Sequence, residues 1–270
     1  ALHRKNLTLI SGALVENVII KKNKAVGVSF QKEGINHQVS GGSIILSAGA
    51  LQSPQILQLS GIGPSHILEA QNIKTILDND AVGKNLQDHY QMRTILQMKK
   101  NLSLNSDSQN PLKLAKWAFD WLKDGSGVLS VGAGQVGAGM CTKYATDGRP
   151  DIQLLVMPLS VDKPGEPLHR FPGFTTTVWQ CHPRSRGTIE IQSADPRVQP
   201  KISPNYLSDT HDQKVMIEGV RLIREIHKKE PFRNLWDEEV VPGQGAKSDT
   251  QILETIKSNG GTVFHPVGTC

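Results

Sequence analysis

The sequence predicts an α+β fold built from two differently organised parts. In the first ninety residues, short β-rich runs precede an apolar strand that turns directly into a helical pattern, as in an α/β layer. Beyond that point, strand-like runs separated by Pro and Gly alternate with amphipathic helices, which is typical of an antiparallel sheet with flanking helices. We therefore predict one domain over 1–90, a second over 91–264, and a return to the first domain over 265–270.

Short β-rich runs bounded by turn residues predict the strands. One nearly all-apolar run is followed at once by Ala48-Gly49-Ala50, which indicates a buried strand leading into a helix. The predicted strands cover 7–10, 15–20, 25–30, 42–47, 152–157, 175–181 and 187–191.

Apolar residues that recur every three to four positions predict the helices. Pro64 and Pro111 suit a first helical turn, and Ser248-x-x-Gln251 has the pattern of a capping box. The predicted helices cover 52–59, 64–70, 111–123, 213–228 and 248–256.

Composition excludes several classes of protein. The 37% hydrophobic content and 25 glycines among 270 residues are ordinary for a soluble globular protein. The formal net charge is +5, but the basic residues are scattered, so no nucleic-acid partner is expected. We also find neither an apolar stretch long enough to span a membrane nor a signal peptide, which predicts a location in the cytoplasm or at the periphery of the inner membrane.

Cysteine and histidine spacing predicts neither a disulfide scaffold nor a metal site. Cys141, Cys181 and Cys270 stand far apart without a CxxC pair. Six spaced histidines show no metal-ligand pattern: His3, His37, His66, His169, His211 and His227. We therefore assign no metal.

The glycines Gly132-x-Gly134-x-x-Gly137 have the spacing of a dinucleotide-binding turn. That turn requires a buried strand before it and a long helix after it, so that a pyrophosphate meets the helix N-terminus. Here Gly148-Arg149-Pro150 interrupts the chain before such a helix could form. A glycine-rich loop or strand edge is the favoured interpretation.

The segment 49–63, GALQSPQILQLSGIG, requires a tight turn, a helix entry near Pro, and a second tight turn. It resembles a signature segment of the glucose-methanol-choline (GMC) family of FAD-dependent oxidoreductases, nearest to its choline and alcohol dehydrogenase members. Four other stretches agree with that family in order and spacing: NLTLISGALVENVIIKKNKAVGV (6–28), VGKNLQDH (82–89), PRSRGT (183–188) and FHPVGTC (264–270). The resemblance covers almost the entire chain.

The resemblance implies FAD as the cofactor and an FAD-binding role for the first predicted domain, with substrate binding in the second. For Val15, the alternative to a cofactor contact is an ordinary strand residue. For the loop at 85–89, the alternative is a turn held by side-chain hydrogen bonds. The residues implied in cofactor binding are Val15, Ala48, Gly49, Asn85, Asp88 and His89.

His265 is the first residue of the motif His-x-x-Gly-Thr, and the resemblance identifies this histidine as the catalytic base. Removing the hydroxyl proton of an alcohol eases loss of the α-hydride to flavin N5, and an imidazole titrates near neutrality. Pro266 restricts the chain just after the imidazole, and Gly268 permits close backbone approach.

His182 lies at the end of a strand-like run, where some choline-oxidising relatives have a histidine on the substrate side. We give equal weight to a contact with substrate and to a histidine that only packs at the end of a strand. For Arg184 and Arg186 we favour pairing that holds the following turn. Glu166 is a candidate partner for a cationic substrate, although a solvated loop charge is the stronger interpretation. Three aromatic residues favour helix packing over a cage for a quaternary ammonium group: Trp117, Phe119 and Trp121.

The predicted activity is FAD-dependent oxidation of a primary alcohol to the aldehyde, with electrons passed to a quinone or another non-oxygen acceptor. The alternatives are an alcohol oxidase that uses O₂, a lyase on the same scaffold, and a non-catalytic domain that kept the fold. Self-association as a homo-oligomer is left open. We expect a fragment that lacks the N-terminal phosphate-binding unit and the segment after Cys270, and that is inactive by itself.

Overall fold

The computed structural model describes residues 2–163 and 165–270, and it has the mixed α+β organisation that the sequence predicts. The strands are β1 (Ala13–Lys21), β2 (Lys24–Lys32), β3 (Ile35–Ser40), β4 (Ile62–Gly63), β5 (Leu77–Asp78), β6 (Tyr90–Met98), β7 (Val136–Met140), β8 (Ile152–Met157), β9 (Gly173–Gln180), β10 (Thr188–Glu190), β11 (Lys201–Ser203), β12 (Trp236–Val241) and β13 (Gly261–Thr262). The helices are α1 (Gly49–Leu59), α2 (Ser65–Ala70), α3 (Leu104–Ser108), α4 (Pro111–Asp124), α5 (Thr210–His227) and α6 (Asp249–Asn259), with 3₁₀ turns at Val128–Ser130 and Phe232–Leu235.

The chain forms two compact units. The first unit combines Ala1–Asp88, Ser185–Tyr206 and His265–Cys270, and the second combines His89–Arg184 and Leu207–Phe264. The first unit thus includes a segment, Ser185–Tyr206, that lies within the range predicted for the second domain. The functional names of the two domains stay predictions.

The first unit is built on the antiparallel sheet β1-β2-β3, and α1 packs beside it. The backbone N–H of Val18 in β1 donates to Ser60 Oγ at the end of α1, 2.8 Å away. On another side of α1, the buried Gln58 amide donates to Ile189 O (3.0 Å) and accepts from Ile191 N (2.9 Å). These side-chain bonds anchor the β10 region to α1 although the two lie far apart in sequence.

Two predicted strands of this unit are wrong. Residues 7–10 and 42–47 form no strand, and within the described chain they have no ladder partner. The apolar run at 42–47 is also far from buried, since Ile45 is 83% exposed. A strand exists only when a neighbour supplies the hydrogen bonds, which a local apolar pattern does not guarantee.

The second unit is built on a six-stranded antiparallel sheet. Its strand order is β12-β6-β9-β8-β7, and the short β13 also pairs with β6. Helix α5 packs on this sheet, and Gly219 allows the close approach because a Cβ there would lie 2.7 Å from Val178 Cγ2. Side chains from both layers form the core at this interface: Met92, Leu96, Ile152, Val178, Val215, Met216, Val220 and Ile223.

Helix α4 forms almost over the predicted range, with Asn110 as N-cap and Gly125 in the left-handed conformation at its end. The expected packing of its aromatic residues is nevertheless wrong, because none of its residues is buried. Phe119 is 64% exposed and Trp121 is 48% exposed. The periodic apolar residues predict the helix correctly, but no element of the described chain covers the apolar face that they form.

Candidate active site

Three segments that are distant in sequence run side by side in the first unit. Leu86 and Gly187 exchange backbone hydrogen bonds of 3.0 and 2.8 Å, and Gln87 and Val267 exchange a second pair of 2.9 Å each. The predicted motifs VGKNLQDH, PRSRGT and FHPVGTC are therefore brought together by main-chain pairing. Main-chain pairing at single residues fixes the register of all three segments without requiring a long strand.

Asn85 links all three segments through its side chain. Its Nδ2 donates to the Gly268 carbonyl (3.1 Å), and its Oδ1 accepts from Arg186 Nε (3.0 Å). Asn85 has a positive φ of 65°, a conformation that asparagine tolerates better than most residues. Arg186 Nη1 also donates to the Ser185 carbonyl (3.0 Å), so its side chain is paired within the protein, and its role in holding the following turn stays a prediction.

Asp88 is buried and holds the chain at His265. Its Oδ1 accepts the backbone N–H of His265 at 3.0 Å, and its Oδ2 accepts the Tyr206 hydroxyl at 2.5 Å. Both hydrogen bonds place a donor on a carboxylate, which is the stronger class of hydrogen bond. Asp88 thus orients the backbone from which the candidate base projects.

The residues after His265 are fixed in the same way. Thr269 donates its hydroxyl to the Ala50 carbonyl (2.6 Å), and its own carbonyl accepts from Gly83 N (2.9 Å). Gly268 has φ 96°, and a Cβ there would lie 2.5 Å from the Asn85 carbonyl oxygen. Glycine is therefore required for this close approach.

His265 itself is exposed in the described chain. The residue before it, Phe264, has φ 63°, which is unusual for a bulky residue, and 73% of its surface is exposed. Backbone strain of this kind is enriched at functional sites, where the surrounding contacts maintain it. Here the Asp88 bond to His265 N supplies such a contact.

The chain is similar to known proteins over almost its whole length. Two models of GMC oxidoreductases match the chain, the N-terminal model over residues 1–91 and the C-terminal model over residues 183–270. The chain belongs to the GMC oxidoreductase family. Its similarity to alcohol dehydrogenase [acceptor] of Pseudomonas putida is 34% identity over 99% of this chain and 49% of that protein. Its similarity to oxygen-dependent choline dehydrogenase of Staphylococcus xylosus is 31% identity over 100% of this chain and 48% of that protein.

Solved structures confirm the GMC fold. A formate oxidase superposes with a TM-score of 0.90 at 24% identity, covering 100% of this chain and 52% of the other. Pyridoxine 4-oxidase from Mesorbium loti superposes with a TM-score of 0.82 at 24% identity, covering 99% and 48%. The chain spans about half the length of the curated relatives it matches, in agreement with the expectation that it corresponds to part of a longer GMC protein. FAD, the expected cofactor, is confirmed at the level of the family.

The residues that the GMC resemblance assigns to FAD fit part of such a cofactor. Helix α1 begins after Ala48 without a side-chain cap, Gly49 has φ 81°, and both residues are exposed. Uncapped N–H groups at a helix start, with the positive end of its dipole, suit a polar or anionic oxygen. Val15 lies in β1 next to a register irregularity, where Glu16 has no opposite residue in β2.

The two candidate histidines of the second unit occupy different surroundings. His89 is held by its ring, since Nε2 lies 3.1 Å from the Cys181 carbonyl oxygen and must carry the proton for this bond. His182 is exposed on the turn that follows β9. Burial raises the pKa of the Cys181 thiol, with the Asp151 charge adding to it, so this thiol stays protonated.

Sequence reasoning missed the carboxylate that shapes the turn at His182. Asp212 in the first turn of α5 is fully buried and accepts from Gln180 Nε2 (3.0 Å) and Arg184 N (2.9 Å). An acidic residue in a first helical turn is ordinary, so the sequence contained no signal for this contact.

Sequence reasoning also missed a cavity of about 770 Å³ in the second unit, which Arg93 lines. Burial lowers the pKa of the Arg93 guanidinium. The sequence of β6 contained a signal for this position, because successive side chains of a strand face opposite sides. Arg93 therefore lies on the face opposite to the buried Met92 and Thr94.

Within residues 2–163 and 165–270, no group of three or more His, Cys, Asp or Glu side chains converges as a metal site would require. No helix in the same residues combines the length and the apolar character needed to cross a bilayer. The glycine pattern 132–137 leads into β7 rather than into a helix, which confirms its interpretation as a loop and strand edge.

Proposed function

We propose that this chain contributes the catalytic histidine segment and part of the FAD site of a GMC enzyme that oxidises a primary alcohol to an aldehyde. The main support is the Asp88 carboxylate, which holds the backbone of His265 at 3.0 Å within three converging motifs. Such second contacts are what keep a catalytic side chain in a productive orientation.

The role of His265 is general-base catalysis. Its imidazole takes the hydroxyl proton of the alcohol, which raises the electron density on oxygen and eases departure of hydride from the adjacent carbon. FAD supplies the acceptor for those two electrons when it is bound. Asp88 acts as a positioning residue, because it contacts the His265 backbone and not the reacting atoms.

Cofactor binding is proposed for the residues that the resemblance assigns. The exposed start of α1 at Ala48 and Gly49 offers backbone donors, and Val15 offers main-chain groups from β1. Asn85 and Asp88 act mainly by holding the loop at 85–89 in place. His89 ends this loop and contributes through the backbone that follows it. His182 is proposed as a substrate-side residue because it is exposed and has no side-chain hydrogen bond among the described residues.

Electron transfer to a quinone or another non-oxygen acceptor is the favoured continuation, consistent with the name of the Pseudomonas putida relative. A second candidate is transfer to O₂, which the name of the Staphylococcus xylosus relative favours. Stoichiometric release of hydrogen peroxide would select the oxidase, whereas alcohol turnover that depends on an added quinone would select the dehydrogenase.

The decisive test uses the flavin-loaded enzyme that contains this chain. We expect His265→Asn to lower kcat about 10²–10⁴-fold, the usual contribution of a general base, with unchanged flavin content. The matched control is His66→Asn, because His66 is exposed on α2 and lies outside the converging motifs. A His265→Asn enzyme with the wild-type rate would refute the proposal, and so would an enzyme whose flavin no alcohol bleaches.

A further inference from the structure

Helix α4 of the second unit exposes its apolar side chains. None of its 14 residues is buried by the described chain, and its two most exposed large apolar residues are Leu122 (83%) and Leu112 (80%). A surface helix of a globular protein ordinarily turns its apolar stripe toward the core. The orientation of α4 is therefore the reverse of the usual one. Three further large apolar residues of this helix are also exposed: Leu114, Phe119 and Trp121.

The charged side of α4 makes the contacts that hold the helix to the rest of the second unit. Lys113 Nζ forms an ion pair with Asp107 of α3. Gly127, just before the first 3₁₀ turn, lies against Asp120, since a Cβ at Gly127 would be 3.1 Å from Asp120 Cβ. Lys113 and Asp120 are seven residues apart, so they lie on the same side of the helix. The protein thus contacts the charged side of α4 and leaves the apolar side outward.

The apolar residues of α4 form one unbroken sector around the helix. At about 100° per residue, this sector covers about 220° of the circumference. Lys116 and Lys123 lie next to each other at one edge of the sector, beside Phe119, and Trp117 and Trp121 lie toward the other edge. A broad apolar sector bordered by lysine and tryptophan is typical of a helix that lies in a membrane–water interface.

The lysines at the edge of the sector favour a lipid surface over a second protein. Lysine is depleted at protein–protein interfaces, whereas interfacial helices carry lysine beside a face of Trp, Phe and Leu. Lys116 pairs with Asp120 at 2.7 Å, but its side chain is 71% exposed and an ammonium group has three donors. The formal net charge of +5 also favours a negatively charged surface.

We propose that α4 is an interfacial helix that binds a membrane surface containing anionic phospholipids. The helix axis lies in the plane of the membrane, and Leu112, Phe119 and Leu122 enter the boundary between headgroups and acyl chains. Lys116 and Lys123 stay at the level of the lipid phosphates, while their alkyl stems cover apolar surface. With 14 residues, α4 is shorter than the stretch of about 20 apolar residues that spans a bilayer.

Vesicle flotation of the flavin-loaded enzyme that contains this chain tests the proposal. The probes are vesicles of pure phosphatidylcholine and vesicles of equal parts phosphatidylcholine and phosphatidylglycerol. We expect flotation with the anionic vesicles and weaker flotation with the neutral ones. Added salt should weaken binding to the anionic vesicles toward the neutral level, because salt screens the lysines.

The apolar contact is tested by the double variant Phe119→Ser/Leu122→Ser. We expect it to lower the vesicle partition coefficient by about 10–100-fold, because two large apolar side chains no longer leave water on binding. Ile35→Ser is the matched control, since Ile35 is 61% exposed on β3 of the first unit. An unchanged flavin content shows that each variant is folded.

The charge contact is tested by Lys116→Gln/Lys123→Gln. Binding to anionic vesicles should fall about tenfold, and binding to neutral vesicles should change little. Lys24→Gln is the control for loss of a positive charge, because Lys24 is exposed on β2.

Quenching of tryptophan fluorescence by brominated phosphatidylcholine locates the contact on α4. Trp117→Phe/Trp121→Phe should still float with the vesicles but lose most of the quenching, because the remaining tryptophans lie outside the helix. Trp236→Phe is the control that keeps the quenching, since Trp236 donates to the His227 carbonyl in another part of the second unit.

The outcomes decide which surface covers α4. Flotation that Phe119→Ser/Leu122→Ser removes and Ile35→Ser retains supports the proposal. If the native enzyme does not float, or if Phe119→Ser/Leu122→Ser floats equally well, the proposal is overturned. A dimer that this double variant dissociates, without vesicle binding, would make α4 a contact between two copies of the chain. Alcohol oxidation is measured separately, so failure of vesicle binding leaves the proposed function standing.

Discussion

The carboxylate of Asp88 accepts the backbone N–H of His265 at 3.0 Å, across 177 positions of sequence. Its second oxygen accepts the Tyr206 hydroxyl. One buried side chain therefore joins three segments of the first unit at the point from which the candidate base projects. This arrangement gives the candidate site its rigidity and leads to the first prediction.

Replacing Asp88 with Ala should destabilise the first unit, because both bonds lose their acceptor in a buried place. We expect the free energy of unfolding to fall by about 1–3 kcal/mol, measured by urea denaturation. Asp88→Asn keeps one acceptor oxygen and should cost less. Tyr206→Phe serves as the control that removes one of the two bonds, and equal stability of Asp88→Ala and the native chain would contradict the assignment.

His227 should make stability depend on pH. It is buried and bonded to Thr176, and burial lowers its pKa from 6.5 to about 4. Between pH 6.5 and about 4 the unfolded chain therefore binds a proton that the folded chain does not, so stability is full above pH 6.5 and falls as the pH drops through this window.

The expected loss is about 3 kcal/mol when the window has been crossed. The measurement is urea denaturation of the native chain and of His227→Gln at several pH values. The difference between their unfolding free energies should shrink below pH 6.5, since the variant has no such group. A difference that stays constant with pH would exclude His227 as the source.

Gly83 should tolerate no side chain. It has φ 88°, and a Cβ there would lie 2.2 Å from the Ile189 carbonyl oxygen. Gly125 is the matched control, since it has φ 71° but nothing within 4 Å of a Cβ.

We expect Gly125→Ala to cost about 1 kcal/mol from backbone strain, and Gly83→Ala to cost about 1–3 kcal/mol more from overpacking. Thermal denaturation of the two variants measures the difference. Equal melting temperatures would show that the loop at 83–88 shifts without penalty.

The exposed apolar residues of the two segments that formed no strand should promote aggregation. Leu9 is 68% exposed and Ile45 is 83% exposed, and extended apolar segments with free backbone groups recruit other chains. Leu9→Lys and Ile45→Lys should slow aggregation of the 270-residue chain while changing its unfolding free energy by less than about 0.5 kcal/mol. Light scattering follows the aggregation.

Leu68→Lys is the contrasting variant, because Leu68 is fully buried and a charge there should unfold the first unit. If Leu9→Lys and Ile45→Lys leave the aggregation rate unchanged, the chains associate through surfaces other than the segments 7–10 and 42–47.

Local sequence patterns were sufficient to predict most of the helices and the residues at which they begin. Pro111 and the Ser248–Gln251 capping box mark helix starts in the sequence as they do in the structure. These signals are short-range, because the cap and the groups it satisfies lie within four residues. The exposed stripe of α4 shows the limit, since periodicity predicts a helix but not the partner that would cover it.

By itself, the sequence determined most of the helices, the family and the choice of His265 as the candidate base, but it gave no prediction of α3. The tertiary structure decided which distant residues meet: Asp88 with His265, Asn85 with Gly268 and Arg186, and Arg93 with a cavity instead of a carboxylate. It also decided that 7–10 and 42–47 form no strands. The physical reason is the same in each case, because a hydrogen bond or an ion pair depends on the position of its partner, and chain topology sets that position.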